Sequence, residues 1–426
     1  MRLTDDEKAM RDGAEGRAVA AAMDLLVRYG EALDAAHLCD VRNVAGTMTQ
    51  PSPVKERLVR EGGWDKAYAV INLDTDEDVE IPAMRVPTCQ LQHGFGPDSE
   101  GVVPYPKQMV QLQDDAEAFY GRRGVSILAT CTPYQVGNIP VRGEHCAWME
   151  SSAVVYANSV LGSRTNCEGA ASTGAASLTG KVPCWGNHLT ENRYGTHLVD
   201  AKVPVDGFLE WGMFGYFVGD LVQEERPVVV GDLARPDSVD LKHFGAAVAT
   251  SGGVELFHIP GITPEAETLE AAFGPHPTPA AVPYGPAERR AVYEDLNSQG
   301  ESEDVEFVLL GCPHASVEQI GRAARALEGK RLADGTALWL MVPRALKAVA
   351  DRSGYTETIE RAGGQVLADS CPAMSRVAPP GTRVFATDSA KQAHYLPAIL
   401  GIEAWFGSLE DCVDAAVTGR WRGALP

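Results

Sequence analysis

From Asp304 onward the chain repeats one short plan. The apolar runs VEFVLL, ALWLMV, QVLAD, RVFAT and IEAWF are separated by stretches of helical character near 316–327, 344–352, 356–362, 390–400 and 409–417. Runs this short, apolar throughout and each followed by a helix, bury both faces best as neighbouring parallel strands with helices packed above and below. Ser316 and Gln319 form a capping box, which fixes where one of these helices starts. The fold class expected is α/β: wound, mainly parallel sheets with helices on both faces. Chemistry-bearing residues fall at the ends of the runs. Cys312-Pro313-His314 follows the first, Asp369-Ser370-Cys371-Pro372 the third, and Asp388-Ser389-Ala390-Lys391 the fourth. Carboxyl ends of parallel strands are where open α/β sheets gather their ligands.

A similar arrangement occurs upstream. VSILA (125–129) reads as a buried strand that delivers Cys131 to its carboxyl end, and the stretch from Cys131 to Arg193 is dense in Cys, Asn, His, Arg and Glu set among glycines. Pro133, Gly137, Pro140 and Gly143 forbid a long helix until Ser151 and Ser152, which are expected to cap a helix ended by Gly162. Cys131, Cys312 and Cys371 are thus three thiols remote in sequence yet able to meet in one cleft. Such a set suits an iron-sulfur cluster with one iron left open, or a zinc site with an open position, and spacing does not choose between them. Taken singly, each of the nine cysteines reads better as a small buried hydrophobe, and it is the three at equivalent strand ends that shift this balance.

With 426 residues the chain is long enough for two or three domains, and we set them at 1–202, 203–303 and 304–426. The middle stretch is rich in proline and glycine and reads as an insertion or second lobe with short helices. Net charge of −21 argues against nucleic acid, which needs clustered Lys and Arg. No apolar run reaches the roughly 18 residues of a membrane span, and MRLTDDEKAM lacks a signal-peptide core, so a cytoplasmic chain is expected. The nine cysteines, without a compact framework, then read as thiols. At the start, Thr4 and Glu7 spell a capping box for a helix extending to 29 and closed by Gly30. A strand at 38–41, a loop at 45–53, a helix near 54–60 and a strand at 68–73 follow. Cys89 and His93, in the loop PTCQLQHGFGPD, read as a core thiol and a turn histidine rather than metal ligands.

The segments CTPYQVGNIPVRGEHCAWMESSAVVYANSVLGSRTNCEGA, GNHLTENR, LLGCPHAS, ADSCP and TDSAKQAHY resemble, in order and over nearly the whole chain, the catalytic large subunit of aconitase X, a hydro-lyase branch of the aconitase superfamily. The resemblance implies an aconitase-like, multi-lobed α/β body and removal of water from a small hydroxy acid. It also implies a centre held by Cys131, Cys312 and Cys371, either mononuclear iron or an iron-sulfur cluster of the 2Fe-2S, 3Fe-4S or 4Fe-4S type. On these motifs the candidate catalytic residues are His145, Glu150, Ser151 and Lys391. The candidate substrate-binding residues are Asn138, Ser152, Arg164, Thr165, Asn166, Glu168, His188, Arg193, His314 and Ser389. Arg164 and Arg193 could hold a carboxylate bidentately, or pair structurally with Glu168 or Glu191.

Members of the family dehydrate cis-3-hydroxy-L-proline or mevalonate 5-phosphate. The acidic balance here and the lack of a Lys/Arg-rich phosphate cradle tilt the expectation to the former, with the latter as alternative. The family also uses a small swivelling domain, fused or separate, and the end CVDAAVTGRWRGALP leads us to expect a separate small subunit as partner. One departure stands out: the family's usual GARTNREG is GSRTNCEG here, with Cys167 in place of an arginine fork. Two readings of other classes remain at this stage, a hydrolase with Cys131 or Cys312 as nucleophile and His145 or His314 as base, and a non-catalytic scaffold subunit.

Overall fold

Thr4 Oγ1 accepts the Glu7 amide and Glu7 accepts the Thr4 amide, so the first helix, Asp5–Arg11, starts where the sequence sets it. In the computed structural model, which describes residues 1–47, 51–96 and 99–426, this helix does not continue to residue 29. Gly13 and Gly16 adopt φ of 92° and 95°, a left-handed region that breaks the helix, and a second one runs Arg17–Ala32 with Gly30 inside it.

The amino-terminal part carries β1 (Leu38–Asp40), β2 (Val44–Thr47), β3 (Thr88–Gln90), β4 (Val125–Ser126), β5 (Ala147–Trp148) and β6 (Lys181–Pro183). The order β4-β3-β2-β5 is parallel throughout, and β1 pairs antiparallel with β6. Residues 48–50 of the 45–53 loop and 97–98 of PTCQLQHGFGPD lie outside the described residues. Two expectations are corrected here. The strand expected at 68–73 is the end of a helix, Pro53–Asn72, bent at Gly62 and Gly63. Its apolar run packs inward as a helix face, and Tyr68 Oη donates to the Gly174 carbonyl at 2.9 Å. The cysteines are not all thiols: Cys39 and Cys184, 145 residues apart, form a disulfide across the β1/β6 pair.

In the middle part, β7 (His197–Val205), β8 (Pro227–Leu233) and β9 (Ala281–Tyr284) form a parallel sheet in the order β8-β7-β9. β7 runs across residue 202, where the sequence reading set its first boundary. Of the short helices expected here Leu269–Phe273 is one, but the part is built on two long ones, Gly207–Val222 and Ser238–Gly252, both largely buried. Glycine lets them touch: a Cβ on Gly252 would lie 1.9 Å from the Gly219 carbonyl oxygen.

The carboxyl-terminal part matches the repeating plan closely. Strands β10 (Phe307–Leu310), β11 (Ala337–Val342), β12 (Gln365–Ala368), β13 (Val384–Thr387) and β14 (Glu403–Phe406) are all parallel in the order β12-β11-β10-β13-β14. The chain winds one way from β10 to β12 and the other way from β13 to β14, so the switch point lies between the ends of β10 and β13. Cys312 follows the first and Ser389 the second. Among the described residues no helix is long and apolar enough to cross a membrane.

Candidate active site

Three loops bring the thiols together. Gly311, at φ 83°, turns the chain out of β10 into Cys312; Asp369, at φ 60°, turns it out of β12 toward Cys371; and Ala129, at φ 49°, precedes Cys131 beyond β4. All three cysteines are free; Cys131 is buried, Cys312 and Cys371 half-buried. Burial pushes Cys131 well above the usual thiol range, with the Glu150 and Cys312 charges adding to it. Cys312 is pushed by burial up to about 12, with Cys371 also raising it. Burial raises Cys371 too, and the charge of Glu150 bears on this thiol as well.

The loops are fastened to one another. The His314 amide donates to Cys131 Sγ at 3.3 Å, its Nδ1 lies 2.9 Å from Thr130 Oγ1, and its Nε2 lies 2.9 Å from the Ser370 carbonyl. A carbonyl can only accept, so Nε2 carries the proton and Nδ1 takes the threonine hydroxyl. Burial holds the ring neutral, with a pKa lowered to about 4. Both nitrogens are thereby spent, which corrects the reading of His314 as a hydrolase base. Gly96 fits against the Cys371 turn and its amide donates to Ser370 Oγ at 2.9 Å; a Cβ there would stand 1.8 Å from the Ala368 carbonyl oxygen.

Glu150, not Ser151 or Ser152, is the N-cap residue of the helix Ser151–Tyr156, which continues as a π-turn, Ala157–Leu161, closed by Gly162 at φ 71°. Its carboxylate takes Lys391 Nζ at 2.6 Å, Gln92 Nε2 at 2.9 Å and the Ser152 hydroxyl at 3.2 Å, while Lys391 also reaches Ser151 Oγ at 3.4 Å. Burial would raise the Glu150 pKa, but the Lys391 ammonium and the hydrogen bonds together hold it below the usual carboxylate range. Lys391 is raised by the same pairing, against its own burial. Ser389 Oγ caps the helix Ala390–Leu400 by accepting the Gln392 amide at 3.3 Å, which sets Lys391 in the first turn.

Paired beside Trp148 of β5, Cys167 is exposed, its Sγ donating to the Met149 carbonyl at 3.3 Å and its amide to Glu255 at 3.1 Å. Burial of the sulfur and the carboxylates of Glu255, Glu150 and Glu168 push this thiol up to about 12, and Lys391 opposes them. Glu168 is 3% exposed, and among the described residues neither carboxylate oxygen has a hydrogen-bond partner. The nearby Ser172 hydroxyl donates to the Gly169 carbonyl instead, at 3.3 Å. Burial lifts Glu168 to about 7.

The remaining candidates lie elsewhere. His145 precedes β5, and its Nδ1 meets His188 Nδ1 at 2.9 Å, the two rings stacked. Its surroundings are Arg164, Arg193 and Asp40 rather than the three thiols, so it is not placed as their base. Arg193 is 3% exposed and fully engaged: it holds Glu265 at 2.6 Å and donates to the carbonyls of Asn158 and Asn187 at 3.1 Å each. Arg164 donates to the His188 carbonyl and to Thr190 Oγ1, both at 3.0 Å. The partner the sequence could not identify is Glu265, not Glu168 or Glu191. Thr165 Oγ1 accepts the Trp148 amide at 3.0 Å and Asn166 Oδ1 the Asn187 amide at 2.7 Å, so both brace loops. Asn138 donates to Cys89 Sγ at 3.0 Å and accepts from Asn43.

Sequence reasoning passed over Lys242, His243, Gln92 and Glu255. Lys242 Nζ donates to the His314 carbonyl at 2.8 Å and to Gln319 Oε1 at 2.5 Å, its pKa lowered to about 8 by burial. His243 Nε2 accepts the Ala390 amide at 3.2 Å, while its Nδ1 meets the Phe208 carbonyl at 2.9 Å. The middle part therefore holds both the Cys312 and the Ser389 loops. The signal was present: a Lys-His pair inside a helix that is otherwise apolar nearly all round has to be buried with partners.

Family models and known proteins match nearly the whole chain. The family model described as Aconitase X first domain matches residues 1–191, the second domain 195–294 and the third domain 305–418. The chain is 34% identical to the phosphomevalonate dehydratase large subunit of Methanothermobacter thermautotrophicus, over 94% of this chain and 95% of that protein. It is also 34% identical to the cis-3-hydroxy-L-proline dehydratase of Hypocrea jecorina, over 100% of this chain and 70% of that one. A crystal structure of Thermococcus kodakaraensis aconitase X in its holo-form superposes with a TM-score of 0.81 at 32% identity, covering 98% of this chain and 100% of the other.

Proposed function

This chain belongs to the aconitase X family and is a dehydratase, and on that premise we propose that it removes water from cis-3-hydroxy-L-proline. The observation that carries the choice of substrate is the set of carboxyls around Cys167. Around Cys167, where the family's usual residue is arginine, stand the carboxyls of Glu255, Glu150 and Glu168 against the ammonium of Lys391, itself paired with Glu150. An excess of carboxyls suits a cyclic amino acid, whose ring nitrogen is cationic. A phosphate ester would need cationic or N–H donors in surplus. Mevalonate 5-phosphate is the second reading, favoured by the end-to-end match to a phosphomevalonate dehydratase large subunit.

Cys131, Cys312 and Cys371 would hold the metal centre. Three free thiols crowded beside Glu150 are each pushed toward the protonated form, an arrangement that a thiolate-binding soft metal relieves. Among the described residues, the ligand sets that lie within 4.8 Å of one another, as one ion requires, occur elsewhere. A cluster that offers a separate iron to each sulfur therefore fits better than a single iron. When bound, the group would supply a Lewis acid for the departing hydroxyl.

The chain's own residues would do the rest. Elimination breaks the C–H bond beside the carboxylate and the C–O bond of the hydroxyl, leaving a double bond and water. Lys391, fixed by Glu150 and Ser151, offers N–H donors beside Cys131 and Cys312, and its raised pKa keeps it charged. Glu168 carries its proton at a pKa of about 7, so its carboxyl can hold or yield one near neutral pH. We further infer a small-subunit partner, supported by the large-subunit names of relatives and by Ile139 and Val141, which stand 59% and 68% exposed on the loop that carries Asn138. The test is to purify the chain anaerobically with and without such a subunit and to assay both substrates. Turnover of cis-3-hydroxy-L-proline by the pair is expected; turnover of mevalonate 5-phosphate alone would overturn the choice of substrate.

A further inference from the structure

At the amino end of β5, opposite the end that leads to Glu150, a second group of soft ligands surrounds Cys39. Its Sγ, that of Cys184 and a ring nitrogen of His37 lie within 4.8 Å of one another; so do its Sγ and ring nitrogens of His145 and His188. Cys39 and Cys184 are buried and joined as a disulfide. His188 is 2% exposed, and its Nε2 has no hydrogen-bond partner among the described residues, a position that buried imidazoles rarely leave empty. Burial holds both His188 and His145 neutral, the form that binds metal. The frame is set by main chain: the Cys184 amide donates to the His37 carbonyl at 2.9 Å, the Arg42 amide to the His145 carbonyl at 3.4 Å, and Arg164 to the His188 carbonyl at 3.0 Å.

We propose that, once the Cys39–Cys184 bond is reduced, Cys39 together with His145 and His188 binds one divalent ion of the zinc class. One thiolate and two imidazoles make a three-ligand zinc site with its fourth position open and are poor ligands for magnesium or calcium. Reduction by an external dithiol breaks the S–S bond and adds two electrons and two protons, the dithiol closing to its own disulfide. The incoming ion then displaces the Cys39 thiol proton to water. The Cys39 sulfur is thus held in either state, by Cys184 when oxidised and by the ion when reduced.

The test uses the full chain carrying Cys131→Ser, Cys312→Ser and Cys371→Ser, reduced with a dithiol, desalted anaerobically and titrated with Co2+ alone. One ion per chain is expected, with thiolate-to-cobalt charge-transfer bands and tetrahedral d–d bands that Zn2+ abolishes and that the oxidised chain does not show. Absence of these bands, or bands that survive an added Cys39→Ser, would overturn the proposal. The chain with its native sequence gives a check independent of any substitution. Zn2+ alone should protect Cys39 of the reduced protein from iodoacetamide, read residue by residue by peptide mass spectrometry. Equal labelling with and without the ion would also overturn it.

Discussion

The two ends of β5 differ in what their charged residues have left to offer. At the carboxyl end, Glu150 and Lys391 face three free thiols, and Glu168 keeps both carboxylate oxygens without a partner among the described residues. At the amino end, Arg193 and Arg164 spend their donors on Glu265, on Thr190 and on carbonyls. Both ends look alike in the sequence, since each is rich in charged and ring residues between glycines. Residue type marks where a chain is polar; spare hydrogen-bonding capacity marks where it can do chemistry.

The largest effect should come from breaking the pair at the thiol end. Lys391→Met leaves the Glu150 carboxylate buried without its cation, a change that costs about 3 to 5 kcal/mol for pairs of this kind. Urea unfolding should show that loss and the water-elimination assay should show no turnover; full activity would dissolve the distinction between the ends.

Next in size is a pH effect at Glu168, whose pKa rises from 4.5 to about 7 on folding. The folded chain keeps a proton that the unfolded chain releases between these values, so this group lowers stability as pH rises through that window and contributes nothing further above it. The span amounts to about 3 kcal/mol. Glu168→Gln should flatten the slope of unfolding free energy between pH 4.5 and 7, and an unchanged slope would mean the carboxyl has a partner.

At the other end, Arg193→Lys replaces the fork that holds Glu265 and two carbonyls, with an expected loss of about 2 kcal/mol. Its signature is a lower unfolding midpoint with KM unchanged; a raised KM would move Arg193 into the substrate site. The smallest effect is expected for Thr130→Val, which takes the hydroxyl from His314 Nδ1 and should cost about 1 kcal/mol in thermal unfolding.

What the sequence could reveal follows from the range of the interactions. The carboxyl-terminal sheet was legible because its strands and helices are set locally, by apolar runs, by the Ser316–Gln319 box and by the parallel order such units impose. Its thiol loops followed from that order. The amino-terminal sheet has strands of two to four residues, too short to show a period. The run at 68–73 carries no signal that separates a strand from one face of a helix, and contact with the helix Ala170–Thr179 decides it. The Cys39–Cys184 bond depends on a register between β1 and β6 that no local pattern records. Glu265 as the partner of Arg193 likewise lies 72 residues away.

His314 bears on how the thiol loops move. Its ring joins Thr130, beside Cys131, to the Ser370 carbonyl, beside Cys371, and Lys242 anchors its own carbonyl, so one residue spans three segments of the chain. A strut of this kind couples what it joins: displacing the Cys131 loop pulls on the Cys371 loop through a single imidazole, and the two shift as a unit rather than one at a time.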